Sequence, residues 1–142
     1  MSALEALLVA VAVAVGVLVV FRLQLLRRGG TPVVVRFLPA ADGRGWRHAV
    51  LRYGESSLEL YRIVSVRPGP DRRVSRRRLV VADRRRAHPA ERESVPPGST
   101  VLRLDDGRGE TEVALSGGEL TAFLSWLESS PPRRQARRRG TR

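Results

Sequence analysis

The stretch Trp46–Val66, WRHAVLRYGESSLELYRIVSV, decides the fold. Its first run alternates: Trp46, His48, Val50 and Arg52 share one face, and Arg47, Ala49, Leu51 and Tyr53 share the other. Gly54, Glu55, Ser56 and Ser57 form a turn. From Leu58 the alternation resumes, with Leu58, Leu60, Arg62, Val64 and Val66 on one face and Tyr61 and Ile63 on the other. Two β-rich runs around a short glycine-containing turn predict an antiparallel hairpin.

The rest of the chain extends this unit. Downstream, Arg67–Arg78 reads as a loop opened by Pro68, Gly69 and Pro70, and Leu79–Ala82 as a short apolar strand between arginines. Arg84–Pro97, with Pro89, Pro96 and Pro97, reads mostly as loop. Ser99–Asp105 and Thr111–Leu115 flank Asp106, Gly107, Arg108 and Gly109 and form a second hairpin. Upstream, Val33–Leu38 is a short β-rich run that Pro39–Gly43 cuts off. The last element is a helix over residues 117–129. Ser116 and Glu119 have capping-box spacing, and Leu120, Phe123, Leu124 and Leu127 fall at i, i+3, i+4 and i+7, with Trp126 beside Phe123. Ser129, Ser130, Pro131 and Pro132 end it. Strands followed by one amphipathic helix predict a small α+β domain, a curved antiparallel sheet or partly open barrel capped by a C-terminal helix.

A different kind of segment precedes this domain. Ala6–Phe21 is an unbroken apolar run, followed by Arg22, Arg27 and Arg28, with Glu5 as the one charge before it. Extended over residues 4–26 it is long enough to cross a hydrocarbon core of about 30 Å. Arg22 is expected to snorkel along its own stem toward the headgroups, and Phe21 to sit at the interface. A cleaved signal peptide would carry positive charge ahead of the apolar run and small residues at its end. Here the arginines follow the run and Ala10, Ala12, Ala14 and Gly16 lie inside it. A soluble core helix is rarely apolar on every face over such a length. The reading is a single-pass anchor in the cell membrane, N-terminus out and C-terminus in, with its domain in the cytoplasm. Small residues four apart (Ala10 with Ala14, Ala12 with Gly16) allow close helix packing, but chance supplies such pairs in an alanine-rich span, so they lend a homodimer no separate support. The expected organisation is an anchor at 4–26, a hinge at 27–32 containing Gly29 and Gly30, a domain at 33–130, and a disordered Arg-rich tail at 131–142.

The chain has 142 residues, no cysteine and a net charge of +12, and all 26 of its basic residues are arginine. Without cysteine there are no disulfides or thiolate metal sites. The tail contributes +6 with no acid, while Val33–Ser130 carries 17 Arg against 13 acids. Enzyme signatures are missing. His48 and His88 stand apart without ligand-spaced neighbours, Asp105–Asp106 before Gly107 is turn chemistry, and with no lysine there is no phosphate-loop motif. The expectation is a protein without catalytic residues, cofactor or metal. The one concentrated feature is basic. Arg67–Arg92 holds ten arginines against Asp71, Asp83 and Glu91, and Arg72, Arg73, Arg76, Arg77, Arg78, Arg84, Arg85 and Arg86 are the candidate contacts for an anionic surface. A solvated face accounts for the pattern. So does an anionic leaflet, near which each basic group gains about 1 kcal/mol. Nucleic acid is disfavoured, because no Phe, Tyr or Trp occurs between Arg62 and Ala122 for bases to stack on.

Taken in order, the N-terminal anchor, Gly45-Trp46-Arg47-His48, Leu60-Tyr61-Arg62, Pro96-Pro97-Gly98 and Leu124-Ser125-Trp126-Leu127-Glu128 resemble the actinobacterial membrane proteins collected as domain of unknown function 2550. The resemblance covers nearly the whole chain and carries no catalytic residues. It implies a small single-pass protein whose domain is similar to pleckstrin-homology-like domains, in which seven strands precede a helix; five are read here. It also implies that such proteins are often encoded near F-type ATP synthase genes. The functional expectation is a non-enzymatic membrane-anchored adaptor whose basic domain contacts a protein partner or anionic lipid headgroups. The alternative is an accessory or assembly factor of a membrane complex such as F-type ATP synthase.

Overall fold

The computed structural model describes residues 2–129, so the tail expected at 131–142 lies outside the described residues. Helix α1, Ala3–Arg27, comes first. Its segment Ala3–Gln24 is long and apolar enough to cross a membrane, and none of its apolar side chains is buried in the domain. A capping box starts it: Ser2 Oγ accepts the Glu5 N–H at 3.3 Å, and Glu5 Oε2 accepts the Ser2 N–H at 2.8 Å.

Seven strands follow: β1 Thr31–Phe37, β2 Arg47–Tyr53, β3 Ser57–Arg62, β4 Arg72–Ser75, β5 Val80–Arg86, β6 Thr100–Asp105 and β7 Glu110–Leu115. They form one antiparallel sheet in the order β4-β3-β2-β1-β7-β6-β5. The sheet curls into a half-barrel whose edges, β4 and β5, do not pair. Helix α2, Gly117–Glu128, fills the concave side. Glu119 Oε2 accepts the Ser116 N–H at 2.7 Å at its start, as the spacing predicts.

The inward face collects Val33, Val35, Ala49, Leu51, Leu58, Leu60, Leu102, Leu104, Val113 and Leu115 from the strands and Leu120 and Phe123 from α2. Leu51, Leu102, Leu115 and Phe123 are fully buried, each worth about 1.5–3 kcal/mol. Tyr53, Phe123 and Trp126 pack as a tilted aromatic trio with ring centroids 5.5–6.5 Å apart, and Trp126 Nε1–H donates to the Gly54 carbonyl at 2.7 Å. A smaller cluster, Val34, Trp46, Val95, Val101 and Ala114, lies on the convex face. There, residues 87–99 fold back over the sheet.

Several boundaries differ from the sequence expectations. Val33–Leu38 is part of a full strand at the centre of the sheet, extended backward to Thr31 by pairing of Thr31 with Leu51 and Pro32 with Val50. Only residues 28–30 remain of the expected hinge. They pass close to the sheet: a Cβ on Gly30 would lie 2.0 Å from Val50 Cγ1 and 3.2 Å from the Leu51 carbonyl, so a larger residue would force Val50 to move. Strand β3 ends at Arg62 rather than Val66; the Ile63 N–H still donates to the His48 carbonyl at 3.0 Å, and Val64–Val66 leave the sheet. A seventh strand, β4, lies inside the expected loop and is recruited by pairing with β3 from Ser57↔Ser75 to Leu60↔Arg72. Strand β5 runs on to Arg86 past a register shift between Val81 and Asp83.

Candidate functional site

The arginines are best sorted by what they touch. On the convex face Arg36, Glu112 and Arg103 are cross-strand neighbours in β1, β7 and β6. Glu91 enters over them from a 3-10 turn, Pro89–Glu91, started by the His88 imidazole, whose Nδ1 accepts the Ala90 N–H at 3.3 Å. Glu91 and Glu112 have side chains only 2% and 1% exposed. Arg85 makes two 2.8 Å bonds to Glu91 and one of 3.1 Å to Glu112. Arg36 pairs with Glu112 and lies 3.4 Å from Glu91, and Arg103 lies 3.6 Å from Glu112. Trp46 closes the group, with the Arg36 guanidinium 5.1 Å from its ring centre. The bidentate hydrogen bonds from Arg85 hold the Glu91 carboxyl down at about 2, against its burial, and the His88 N–H and the Arg36 charge help. Two carboxylates are thus shared among three guanidiniums, which engages both acids, leaves one positive charge in excess and leaves Arg103 Nε buried without a partner.

The eight arginines expected to form one anionic contact are split by the fold. Arg85 belongs to the convex network. Arg72 donates to Asp106 Oδ1 at 2.8 Å and to the Gly109 carbonyl at 2.7 Å, tying β4 to the β6–β7 turn. Arg76 is buried. Its guanidinium donates to the carbonyls of Glu55 (3.0 Å) and Trp126 and to Ser129 Oγ, and stacks 4.8 Å from the Trp126 ring centre. It serves as a cationic cap on the C-terminus of α2, where unpaired carbonyls and the helix dipole favour positive charge. These three residues hold the domain together.

The other five are exposed. Arg73 pairs with Glu59 at 2.6 Å while its side chain stays 62% exposed. Arg77, Arg78, Arg84 and Arg86 have no carboxylate partner among the described residues. Arg73, Arg77 and Arg78 converge with Arg108, which lies outside the window read from sequence. Together with Ser56, Ser57, Ser75 and Asp106 they line a concavity of about 650 Å³ beside the open edge of β4. Asp106 is already held by Arg72 and by the Arg108 N–H at 2.9 Å, which keep its carboxyl below the usual range despite burial. The concavity therefore presents four guanidiniums, three hydroxyls and one occupied carboxylate. Arg86 lines a second hollow, about 580 Å³, with Arg92 and residues 95–100; Arg84 lines neither.

The interior offers little space. The cavity between β3, β4, β6 and β7 measures about 20 Å³, room for about one water, and Thr111 Oγ1 is buried there without a partner. His48 is exposed on β2, and among the described residues no three His, Asp or Glu side chains gather as a metal site would require.

Arg22 joins α1 to the domain. Arg22 does not snorkel freely; its guanidinium donates to the carbonyls of Arg62 (3.1 Å), Ser65 and Arg67 (2.9 Å) in the β3–β4 connection. Because Ser57 pairs with Ser75 and Leu60 with Arg72, that connection and the Arg77–Arg78 turn lie at opposite ends of the β3–β4 pair.

Comparison with known proteins gives the same relatives along almost the whole chain. A family model described as "Protein of unknown function (DUF2550)" matches residues 8–133. An uncharacterised protein of Mycobacterium leprae is 44% identical over 122 residues, covering 83% of this chain and 83% of its own length. Uncharacterised proteins from two strains of Mycobacterium tuberculosis match with the same identity and coverage.

Proposed function

We propose, from the premise that this chain belongs to the DUF2550 family, that it is a non-enzymatic, single-pass adaptor whose domain captures an acidic, extended segment of a partner protein along the β4 edge. Helix α1 is the anchor. Arg27 and Arg28 at its end favour a C-terminus-in orientation in the cell membrane and a cytoplasmic domain. The strand order and the helix on the concave side support a likeness to pleckstrin-homology-like domains.

The observation that carries the proposal is the concavity beside β4. Arg73, Arg77, Arg78 and Arg108 converge there with little internal neutralisation, next to a four-residue edge strand whose outer backbone groups are unpaired. An extended segment adding to that edge would gain main-chain hydrogen bonds, and its acidic side chains would meet guanidiniums, which suit carboxylates geometrically. Arg77 and Arg78 lie at the end of β3–β4 away from the connection that α1 contacts. This favours a protein segment over the headgroups of the bilayer that holds α1. Tethering raises the local concentration of membrane-bound partners, so modest affinity suffices.

The test uses the full chain in nanodiscs of neutral lipid, titrated with a fluorescein-labelled, Glu-rich extended peptide. Binding should weaken with salt and fall roughly tenfold or more when Arg77, Arg78 and Arg108 are changed to Glu. Equal binding by the triple variant sinks the proposal. Peptide-independent association with added anionic vesicles, lost in the same variant, would transfer the surface to lipid.

A further inference from the structure

After Arg62 the chain leaves the sheet apolar side out. Val64 is 91% exposed, Val66 83% and Ile63 42%. Outside α1 only one other large apolar side chain among the described residues, Val80, is exposed. Isolated exposed apolar side chains are ordinary, but Ile63, Val64 and Val66 in one short connection form a patch. This patch also sits where α1 touches the domain.

Arg22 is the one charged residue of α1 between Glu5 and Arg27. A guanidinium at that depth needs acceptors, and loop carbonyls at that depth need donors. Arg22 supplies three bonds to Arg62, Ser65 and Arg67 and meets both needs at once. The loop is held firmly from its other side. Asp71, its side chain 3% exposed, accepts the Arg62 N–H and the Ser65 hydroxyl, both at 2.7 Å, and pairs with the Arg62 guanidinium at 3.2 Å. That carboxylate is fully engaged and presents no bare charge. Arg22 precedes Arg27 by five residues, about 7.5 Å along the helix. This matches the depth, about 5–10 Å, at which interfacial apolar groups reside.

We infer that the β3–β4 connection is a second membrane contact: Ile63, Val64 and Val66 insert into the interfacial layer of the bilayer that α1 crosses, and Arg22 clamps their backbone to the helix. This rests on the reading of α1 as a span. Arg62 and Arg67 flank the apolar tip at headgroup level. The domain then meets the membrane at two points and has a fixed face toward it, with the Ser56 turn and Arg77–Arg78 pointing away.

The chain contains no cysteine, so a single introduced one can be labelled cleanly. Val64→Cys, Ser56→Cys and Val13→Cys would each carry an environment-sensitive nitrobenzoxadiazole dye in the full chain, reconstituted into phosphatidylcholine–phosphatidylglycerol vesicles. Labels at 13 and 64 should emit to the blue, be quenched by nitroxide lipids and resist iodide; the label at 56 should be quenched by iodide alone. Adding Arg22→Gln should reduce lipid quenching at position 64 and leave position 13 unchanged. If position 64 is as open to iodide as position 56 while position 13 stays lipid-quenched, the loop contact is wrong and the span stands. If position 13 is open to iodide, the span fails and the loop contact fails with it. Unchanged quenching at 64 in the Arg22→Gln protein overturns the clamp.

Discussion

The convex face and the β4 edge hold similar numbers of arginines in opposite circumstances. On the convex face Arg36, Arg85 and Arg103 meet two almost inaccessible carboxylates. Along the β4 edge Arg73, Arg77, Arg78 and Arg108 share Glu59 and an Asp106 that Arg72 already occupies. What separates them is where the acids went. Glu91 and Glu112 are spent internally, so the first group stabilises the domain and the second keeps most of its charge unneutralised within the domain. Charge counted along the chain merges the two.

The largest expected break of this contrast is Glu91→Ala. It strands Arg36 and Arg85 beside a single carboxylate and unpins residues 87–99, and should cost about 3–5 kcal/mol in urea unfolding of the full chain in detergent. The loss should register first in the fluorescence of Trp46, which lies under that segment, and later in Trp126 on α2. Acid titration sharpens the same point. The folded Glu91 pKa of about 2 lies below its unfolded value, so its contribution is complete above about pH 4.5 and is lost as pH falls toward 2. The gap in melting temperature between the wild-type chain and Glu91→Gln should narrow over that interval; a gap independent of pH there would show that the carboxylate charge is not what holds the network. A smaller effect is expected across one peptide bond. Arg76→Ala, which uncaps α2 and removes the Trp126 stack, should cost about 2 kcal/mol. Arg77→Ala should change stability by no more than about 0.5 kcal/mol, its effect appearing only in binding of the acidic peptide. If both substitutions proved equally costly, the division between internal and outward-facing arginines would collapse.

The elements that sequence conveyed best were those with enough alternation to see. The Ala49, Leu51, Leu58 and Leu60 face, the Asp106–Gly109 turn, with Gly107 at φ 77°, and the Leu120–Leu127 stripe each repeat a period several times. Strand β4 does not: Val74 is its one buried side chain between Arg73 and Ser75, and four residues cannot establish a period. Strand β5 hides its second half because its outward side chains are arginines and a register shift breaks its pattern. The convex network was illegible for another reason. Arg36 and Glu112 are 76 residues apart and are brought together only because the first and last strands are sheet neighbours. Arg76 and Arg77 are the same letter twice, both in the turn after β4; the turn directs the first to the end of α2, where it is buried, and leaves the second exposed. Arg108 escaped notice because its turn lies over thirty positions from Arg73 and reaches it only across the open seam.

The junction at residues 28–30 has a mechanical meaning. With Gly30 wedged against Val50, strand pairing beginning at Thr31 and Arg22 bonded to the β3–β4 connection, α1 and the sheet are coupled like a shaft and a crank. Turning the helix about its long axis would swing the whole β4 edge around it. Any neighbour that packs on one side of α1 would thereby choose the compass direction in which the basic concavity is presented.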